Sequence, residues 1–293
     1  MSNTYPVKSY PCPVCSENYT KLLYTIKGFN IVQCNSCSLA YVNPRIRNKN
    51  LYDLYSSQYF TNESNGYENY ELLEDLRIKT FKKWYLETEP FLKKKEGKAL
   101  DIGCAAGYFL KILEEKNWEV EGIELEDNMN NIVRSKGYTV YNTPLEYFET
   151  KKKYHLISLF DVLEHLPKLN IHIQKLYRLL EDDGSIILVT PDLNSKQRKF
   201  FGKRWFQFKP LEHIQYFTCQ SLGKVFRKHD LSIIYSNSSG QYVNGSFIIS
   251  RLRRYNFPLL AIIFHSFFNT FRLRNLSWYA DTGSMIVVLQ KTK

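Results

Sequence analysis

From Lys98 onward, short apolar runs alternate with amphipathic stretches. The apolar runs at 98–103, 119–125, 138–141, 155–161 and 185–190 have the length of buried strands. The segments between them, 107–116, 127–136, 145–152 and 169–181, carry apolar residues at helical spacing. This alternation predicts an α/β domain, a parallel sheet with helices on both faces. Glu181-Asp-Asp-Gly184 reads as the turn that closes a helix before the fifth strand. Two later runs, 231–237 and 284–290, are able to complete the sheet, with a helix over 220–229 ahead of the first. Upstream, Leu72, Leu73, Leu76, Ile78, Phe81, Trp84 and Tyr85 are spaced as on one or two helices ending in a solvated lysine run. Residues 39–60 read as a short helix and a loop, and no internal repeat is present.

At 293 residues the chain holds one sizeable domain plus an attachment, and 44% hydrophobic with 24% charged residues is ordinary for a globular protein. A net charge of +11 favours acidic partners: phosphates, nucleic acid or an anionic membrane surface. The charge is concentrated late in the chain. Six basic and no acidic residues lie between Lys196 and Lys209, and Arg251, Arg253, Arg254, Arg272 and Arg274 bracket the apolar run Phe257 to Phe268. That run is about half the roughly 20 residues of a spanning helix, so no transmembrane segment is expected. It reads either as core packing, the preferred reading, or as an interfacial helix. The opening Met-Ser-Asn-Thr-Tyr-Pro lacks a secretory pattern, and a cytoplasmic protein, with peripheral membrane contact left open, is expected.

Four cysteines form two pairs, Cys12-Pro-Val-Cys15 and Cys34-Asn-Ser-Cys37, separated by 18 residues. Two such pairs on tight turns supply a closed tetrahedral shell of four thiolates, the pattern of a structural Zn2+ site. Redox pairs or an iron–sulfur site are the alternatives. Cys104 and Cys219 read as small buried residues.

The first strand of the domain runs into a small-residue turn, Leu100-Asp-Ile-Gly-Cys-Ala-Ala-Gly107, where a backbone is able to approach a ligand at the strand's carboxyl end. The next strand closes on Glu124, 23 positions after Asp101, the separation at which an acid meets ribose hydroxyls. A dinucleotide fingerprint fits badly, because Ala105 and Tyr108 stand where it needs glycines. The turn resembles motif I of class I S-adenosylmethionine (SAM)-dependent methyltransferases, with Ala105 in place of that family's middle glycine. Phe160-Asp-Val-Leu-Glu-His-Leu166 resembles its fourth motif, and Leu179 to Pro191 its post-helix strand. Gly202-Lys-Arg-Trp205 with His213-Ile-Gln-Tyr-Phe217 resembles a bacterial subgroup in which a four-cysteine zinc module precedes the methyltransferase domain.

The resemblance implies a Rossmann-like seven-stranded sheet of order 3-2-1-4-5-7-6, its last strand antiparallel. It implies a zinc-binding module over 1–50, a helical connector and cofactor cover over 51–97, a SAM-binding core over 98–195, and a substrate lid completing the sheet over 196–293. Asp101, Gly103, Ala105 and Gly107 would cradle the methionine part of SAM. Glu124 would hold the ribose, Leu125 pack on the adenine, Asp161 sit near the amino-acid moiety and Tyr59 cover the cofactor. His165 and His213 are the candidate general bases for a hydroxyl acceptor; each also reads as a capping or loop-holding residue. The expected acceptor is a sugar, glycolipid or natural-product hydroxyl, small or carrier-linked, with Lys199 to Lys209 gripping any phosphate it bears. An RNA methyltransferase is the rival enzyme, since the same basic-aromatic stretch suits single strands, but no Asn-Pro-Pro-Tyr-type tetrapeptide follows the fourth strand. A non-catalytic SAM- or zinc-dependent interaction module is the rival of another kind.

Overall fold

The computed structural model describes residues 6–51, 73–254 and 257–292. Tyr59 lies outside them. The N-terminal part contains β1 (Val7–Lys8), β2 (Thr20–Ile26), β3 (Phe29–Cys34), β4 (Ala40–Val42), β5 (Arg45–Ile46) and the single turn α1 (Asn48–Leu51). A long helix, α2 (Glu74–Thr88), leads into an alternating series: β6 (Gly97–Ile102), α3 (Tyr108–Glu114), β7 (Trp118–Ile123), α4 (Asp127–Ser135), β8 (Thr139–Tyr141), β9 (Tyr154–Phe160), α5 (Leu169–Leu179) and β10 (Leu180–Pro191). The last third comprises α6 (Lys196–Phe201), β11 (Gln215–Tyr216), α7 (Cys219–Arg227), β12 (Leu231–Val243), α8 (Gly245–Arg254), α9 (Pro258–Thr270) and β13 (Trp278–Lys291).

Among the described residues the main sheet has seven strands in the order β12-β13-β10-β9-β6-β7-β8. The β10–β9, β9–β6, β6–β7 and β7–β8 pairs are parallel, whereas β13 is antiparallel to both neighbours. This is the order and polarity that the family resemblance implies. Period-two alternation sorts the strand residues between two layers. Leu100, Ile157, Leu188 and Val287 face one side with α5 and α7; Ala99, Leu156, Ile187 and Val288 face the other with Trp84, Tyr85 and Phe109 of α2 and α3. Each fully buried aliphatic side chain contributes about 1.5–3 kcal/mol of transfer free energy, and the central strands carry little else.

Several expectations change. Residues 39–51, expected as a short helix and a loop, carry β4, β5 and the single turn α1, and residues 181–184, expected as a turn, form a bulge inside β10. The helix expected over 145–152 is a single 3-10 turn, Leu145–Tyr147; Pro144 sets its start, and Leu145 and Phe148 bury the apolar surface of that stretch within one turn. The last two strands extend well past 231–237 and 284–290, because β12 and β13 pair onward from Ser239–Ser284 to Val243–Trp278. The run 257–268 is not core: in α9 only Ala261 and Phe268 are buried.

The N-terminal strands do not stand apart. β11, which lies more than 170 residues downstream, pairs with β4 to complete a sheet of order β11-β4-β3-β2. Cys12, Val14, Cys34, Leu39 and Tyr41 share one core cluster with Leu169, Ile173, Phe217 and Leu222. Asn170 and Lys228 both donate to the Val14 carbonyl, at 3.1 and 2.7 Å.

The β12–β13 ribbon leaves no room for a side chain at Gly240, where an added Cβ would lie 1.8 Å from the Ala280 carbonyl oxygen. Backbone cannot yield as a side chain can. Gly240→Ala is therefore expected to destabilise the fold by about 2–4 kcal/mol, read as a lower urea midpoint with an unchanged slope.

Candidate active site

The turn after β6 owes its shape to three residues with left-handed backbone, Gly103 (φ 73), Ala105 (φ 45) and Gly107 (φ 77). Gly103 N–H and Cys104 N–H both donate to the Ile123 carbonyl, at 2.8 and 3.1 Å, which fastens the turn to the end of β7. A Cβ on Gly103 would meet Val162 Cγ2 at 2.6 Å, so a side chain is excluded by space as well as by φ. Ala105 is small enough for the turn but sits in a region costly for any residue with a Cβ.

Two buried carboxylates hold this corner together. Glu124, 7% exposed, accepts from Ala105 N–H at 2.8 Å and from Glu126 N–H at 2.9 Å. Asp101, 3% exposed, accepts from Ser158 Oγ–H at 2.6 Å. Burial pushes Asp101 up to about 7, with the Ser158 hydrogen bond opposing and the nearby Glu124 adding to the rise. Burial also raises Glu124, against the backbone N–H groups that favour its charge. Glu126 caps α4 by accepting from Met129 N–H at 2.8 Å.

The carboxyl ends of β6, β7 and β9 form the floor of a cleft of about 1190 Å³, counted out to its open mouth. Asp101, Gly103, Ala105, Glu124, Leu125, Asp161 and His165 all line it. Gly107 stands behind them at the start of α3. Asp161 follows β9 with left-handed backbone (φ 54) and opens onto the cleft. The walls around it raise its carboxyl, while Arg77 and Lys209 pull it down.

The two histidines meet, with ring centroids 4.9 Å apart, but they face different surroundings. His165 lines the cleft and donates Nδ1–H to the Glu212 carbonyl at 3.0 Å. Burial pushes it down to about 4, so it is uncharged across the neutral range. His213, 4% exposed, packs behind it, donates Nδ1–H to the Gln207 carbonyl at 2.9 Å, and is held below the ordinary histidine range by burial first and by His165 second. It is not among the lining residues. Of the two sequence candidates, the cleft therefore meets His165 alone.

Sequence reasoning did not assign Arg77, Phe81 and Trp84 of α2, nor Pro144, Leu145 and Phe160, to this site, yet all six line the cleft. Phe81, Trp84 and Phe160 form a mutual aromatic cluster with centroid separations of 5.1–5.5 Å. Their apolar spacing signalled burial without saying that part of it is a ligand wall. From the basic-aromatic stretch, Trp205 and Phe208 pack into the N-terminal sheet, while Phe200 and Phe201 remain exposed.

The second constellation is the four-cysteine cluster. Cys12 and Cys37 Sγ, and Cys15 and Cys34 Sγ, each lie 3.4 Å apart. The four sulfurs are all within 4.8 Å of one another. A tetrahedral site with 2.3 Å metal–sulfur bonds needs sulfurs about 3.8 Å apart, so the donor set fits. The two halves are alike: Ser16 N–H donates to Cys12 O and Ser38 N–H to Cys34 O, and both serines are left-handed, at φ 63 and φ 67. Although burial opposes it, backbone N–H groups of the Cys34–Cys37 turn bring the Cys34 thiol down to about 7; burial raises Cys12 and Cys37.

Asp101 carries a sign that is open to test. Its folded pKa lies above the unfolded value, so the native state holds a proton that the unfolded chain has released; the cost builds as pH rises from about 4 and is complete above about 7. Asp101→Asn keeps the Ser158 partner and is expected to gain about 2–4 kcal/mol at pH 8. The gain should shrink as pH falls toward 4 in urea titrations.

The family model described as a methyltransferase domain matches residues 73–236, more than half of the chain. No curated protein matches the chain. Among solved structures, the fold is similar to magnesium protoporphyrin IX methyltransferase from Synechocystis PCC 6803 with bound SAH, at 14% identity and a TM-score of 0.53, covering 84% of this chain and all of that one. It is similar to a candidate methyltransferase from Bacillus halodurans C-125, at 13% identity and TM-score 0.52, over 73% and 99% of the two chains. A chain from the complex of the Haloferax volcanii Trm112 methyltransferase activator with a candidate methyltransferase matches at 12% identity and TM-score 0.55, over 81% and 99%. These likenesses carry the fold; the domain match and the cleft at the strand ends carry the rest. The chain belongs to the methyltransferase-domain family and is a class I, SAM-dependent methyltransferase.

Proposed function

We propose that this enzyme methylates a hydroxyl of a small or carrier-linked acceptor, such as a sugar, glycolipid or natural product, with a structural Zn2+ in the four-cysteine cluster. The observation that carries the reading is the convergence of Asp101, Gly103, Glu124, Asp161 and His165 on one cleft. Gly103, Ala105 and Gly107 keep the backbone low where the methionine part of the cofactor would lie, with Asp101 and Asp161 near its amino group. Glu124 is placed for the ribose hydroxyls and Leu125 for the adenine. When bound, SAM supplies an electrophilic methyl group, so the protein's work is to orient the acceptor and exclude water.

A hydroxyl acceptor must lose its proton as the new bond forms. His165 stands at the cleft with its Nδ1–H engaged by Glu212, a contact that orients the ring. Being uncharged at neutral pH, it takes a proton without first releasing one. Arg77, which lines the cleft, and the nearby positive charge of Lys209 favour an acceptor that bears phosphate or carboxylate. A labelled-SAM transfer assay on cell extract fractions tests the class of acceptor. Label in a small-molecule or lipid fraction supports this reading, whereas label in RNA replaces it with the nucleic-acid alternative.

His165→Gln is expected to lower kcat by about 10²- to 10⁴-fold while S-adenosylhomocysteine affinity, measured by calorimetry, stays near that of the wild type. The acid limb of kcat should fall near 4, far below the 6.5 of an ordinary histidine, since the base is lost only when His165 protonates. Unchanged kcat in His165→Gln would remove it from the chemistry.

Purified protein should carry one zinc per chain. Cys12→Ser should lose the metal and lower the melting temperature, because folding of the N-terminal strands is coupled to metal binding. Iron, or a full melting temperature after chelation, would refute the zinc assignment.

A further inference from the structure

We propose that the α8–α9 hairpin is a membrane anchor that beds α9 into the interface of an anionic lipid bilayer. The observation comes from burial rather than from the methyltransferase reading, and it stands independently of it. α9 is 13 residues long and strongly apolar, yet it turns almost all of its large side chains outward. Leu259 is 76% exposed, Ile262 64% and Ile263 60%, with Leu260, Phe264 and Phe267 also exposed. At 3.6 residues per turn these six positions spread over roughly 200° of the helix. A seam between two helices needs a narrow stripe; an arc this wide suits immersion in hydrocarbon. Phe271 and Leu276, just beyond the helix, extend the exposed surface.

Charge identifies the surface. From Leu231 to Ala280 the chain has five arginines and not one aspartate or glutamate. Arg253, Arg272 and Arg274 are exposed at the two ends of the apolar helix, where phosphate headgroups would lie if its outer face were submerged. No helix among the described residues is long and apolar enough to cross a membrane, and α9, about 20 Å long, is suited to lying in the plane instead.

The hairpin is rooted rather than loose. Gly245 lets the start of α8 press on the Phe268 ring, where a Cβ would come within 2.8 Å. Phe268 in turn stacks on Trp278 of β13, with centroids 5.9 Å apart. Lys79 Nζ donates to Ser277 Oγ at 2.9 Å, and Tyr242 N–H donates to Thr80 Oγ1 at 2.8 Å, so the base of the hairpin is tied to α2. The same helix supplies Arg77, Phe81 and Trp84 to the cleft. An anchored α9 thus fixes the cleft relative to the bilayer, which fits an acceptor presented at the membrane surface.

The test is vesicle flotation of the full chain with phosphatidylcholine vesicles and with vesicles that are one-third phosphatidylglycerol. Binding is expected to the anionic vesicles, about tenfold over the neutral ones, and to weaken with salt. The double substitution Ile262→Glu with Ile263→Glu should lower that binding by about tenfold or more. Both positions are exposed, so its melting temperature should equal that of the wild type. Failure of the wild type to float with anionic vesicles overturns the proposal, as does unimpaired binding by the double variant. Sedimentation velocity supplies the other arm: a wild-type dimer that the substitutions dissociate, without vesicle binding, would assign the face to a second copy of the chain and overturn the bilayer.

Discussion

The carboxylate of Glu124 is the brace on which the cleft depends. By accepting from Ala105 N–H and Glu126 N–H it ties the left-handed turn after β6 to the end of β7. Gly103 N–H and Cys104 N–H close the same joint from the other side through the Ile123 carbonyl. Without these bonds a turn with three successive left-handed residues at alternate positions would have no reason to hold its shape. The brace costs stability, since Asp101 and Glu124 are taken out of water side by side. Carboxylates buried at such a cost in a cleft are a mark of a functional site.

The same economy appears at β9. Asp161 leaves the strand with left-handed backbone and its amide held by the Val189 carbonyl. That bend turns the following 3-10 turn, Leu163–His165, across the floor and brings His165 to the cleft while Glu164 stays inside, accepting from Thr190 at 2.9 Å. The opposite support of this turn comes from far away in sequence: Ile214 N–H donates to the Glu164 carbonyl and Glu212 accepts from His165. Residues 212–216 then continue into β11 and the N-terminal sheet. The four-cysteine cluster and the cleft are thereby mechanically joined. Backbone pairing runs without a break from the cysteine turns through β4 and β11 to the loop that orients His165.

Much of this was legible beforehand because it follows from local chemistry. Period-two and period-3.6 patterns placed the strands and helices of the alternating region within a few residues, apart from 145–152, where Pro144 and two apolar anchors made one turn sufficient. Small residues after Asp101 and an acid at Glu124 marked the cleft, since a close backbone approach admits few side chains. Arg77, Phe81 and Trp84 were not legible as cleft residues, because a helical stripe looks the same whether it covers core or ligand.

By itself the sequence determined the alternating strands and helices, the turn and the paired cysteines, each of which depends on residues close in the chain or on a repeating pattern; the order of the strands was implied by the family resemblance alone. Tertiary structure decided what depends on distant segments meeting. It brought β11 to β4, set His165 on the cleft with His213 behind it, and brought the charges of Arg77 and Lys209 near enough to lower the Asp161 carboxyl. It also left α9 exposed, although its composition matches that of a buried helix, because burial depends on whether a partner surface is within reach, and here the fold offers one to Ala261 and Phe268 alone.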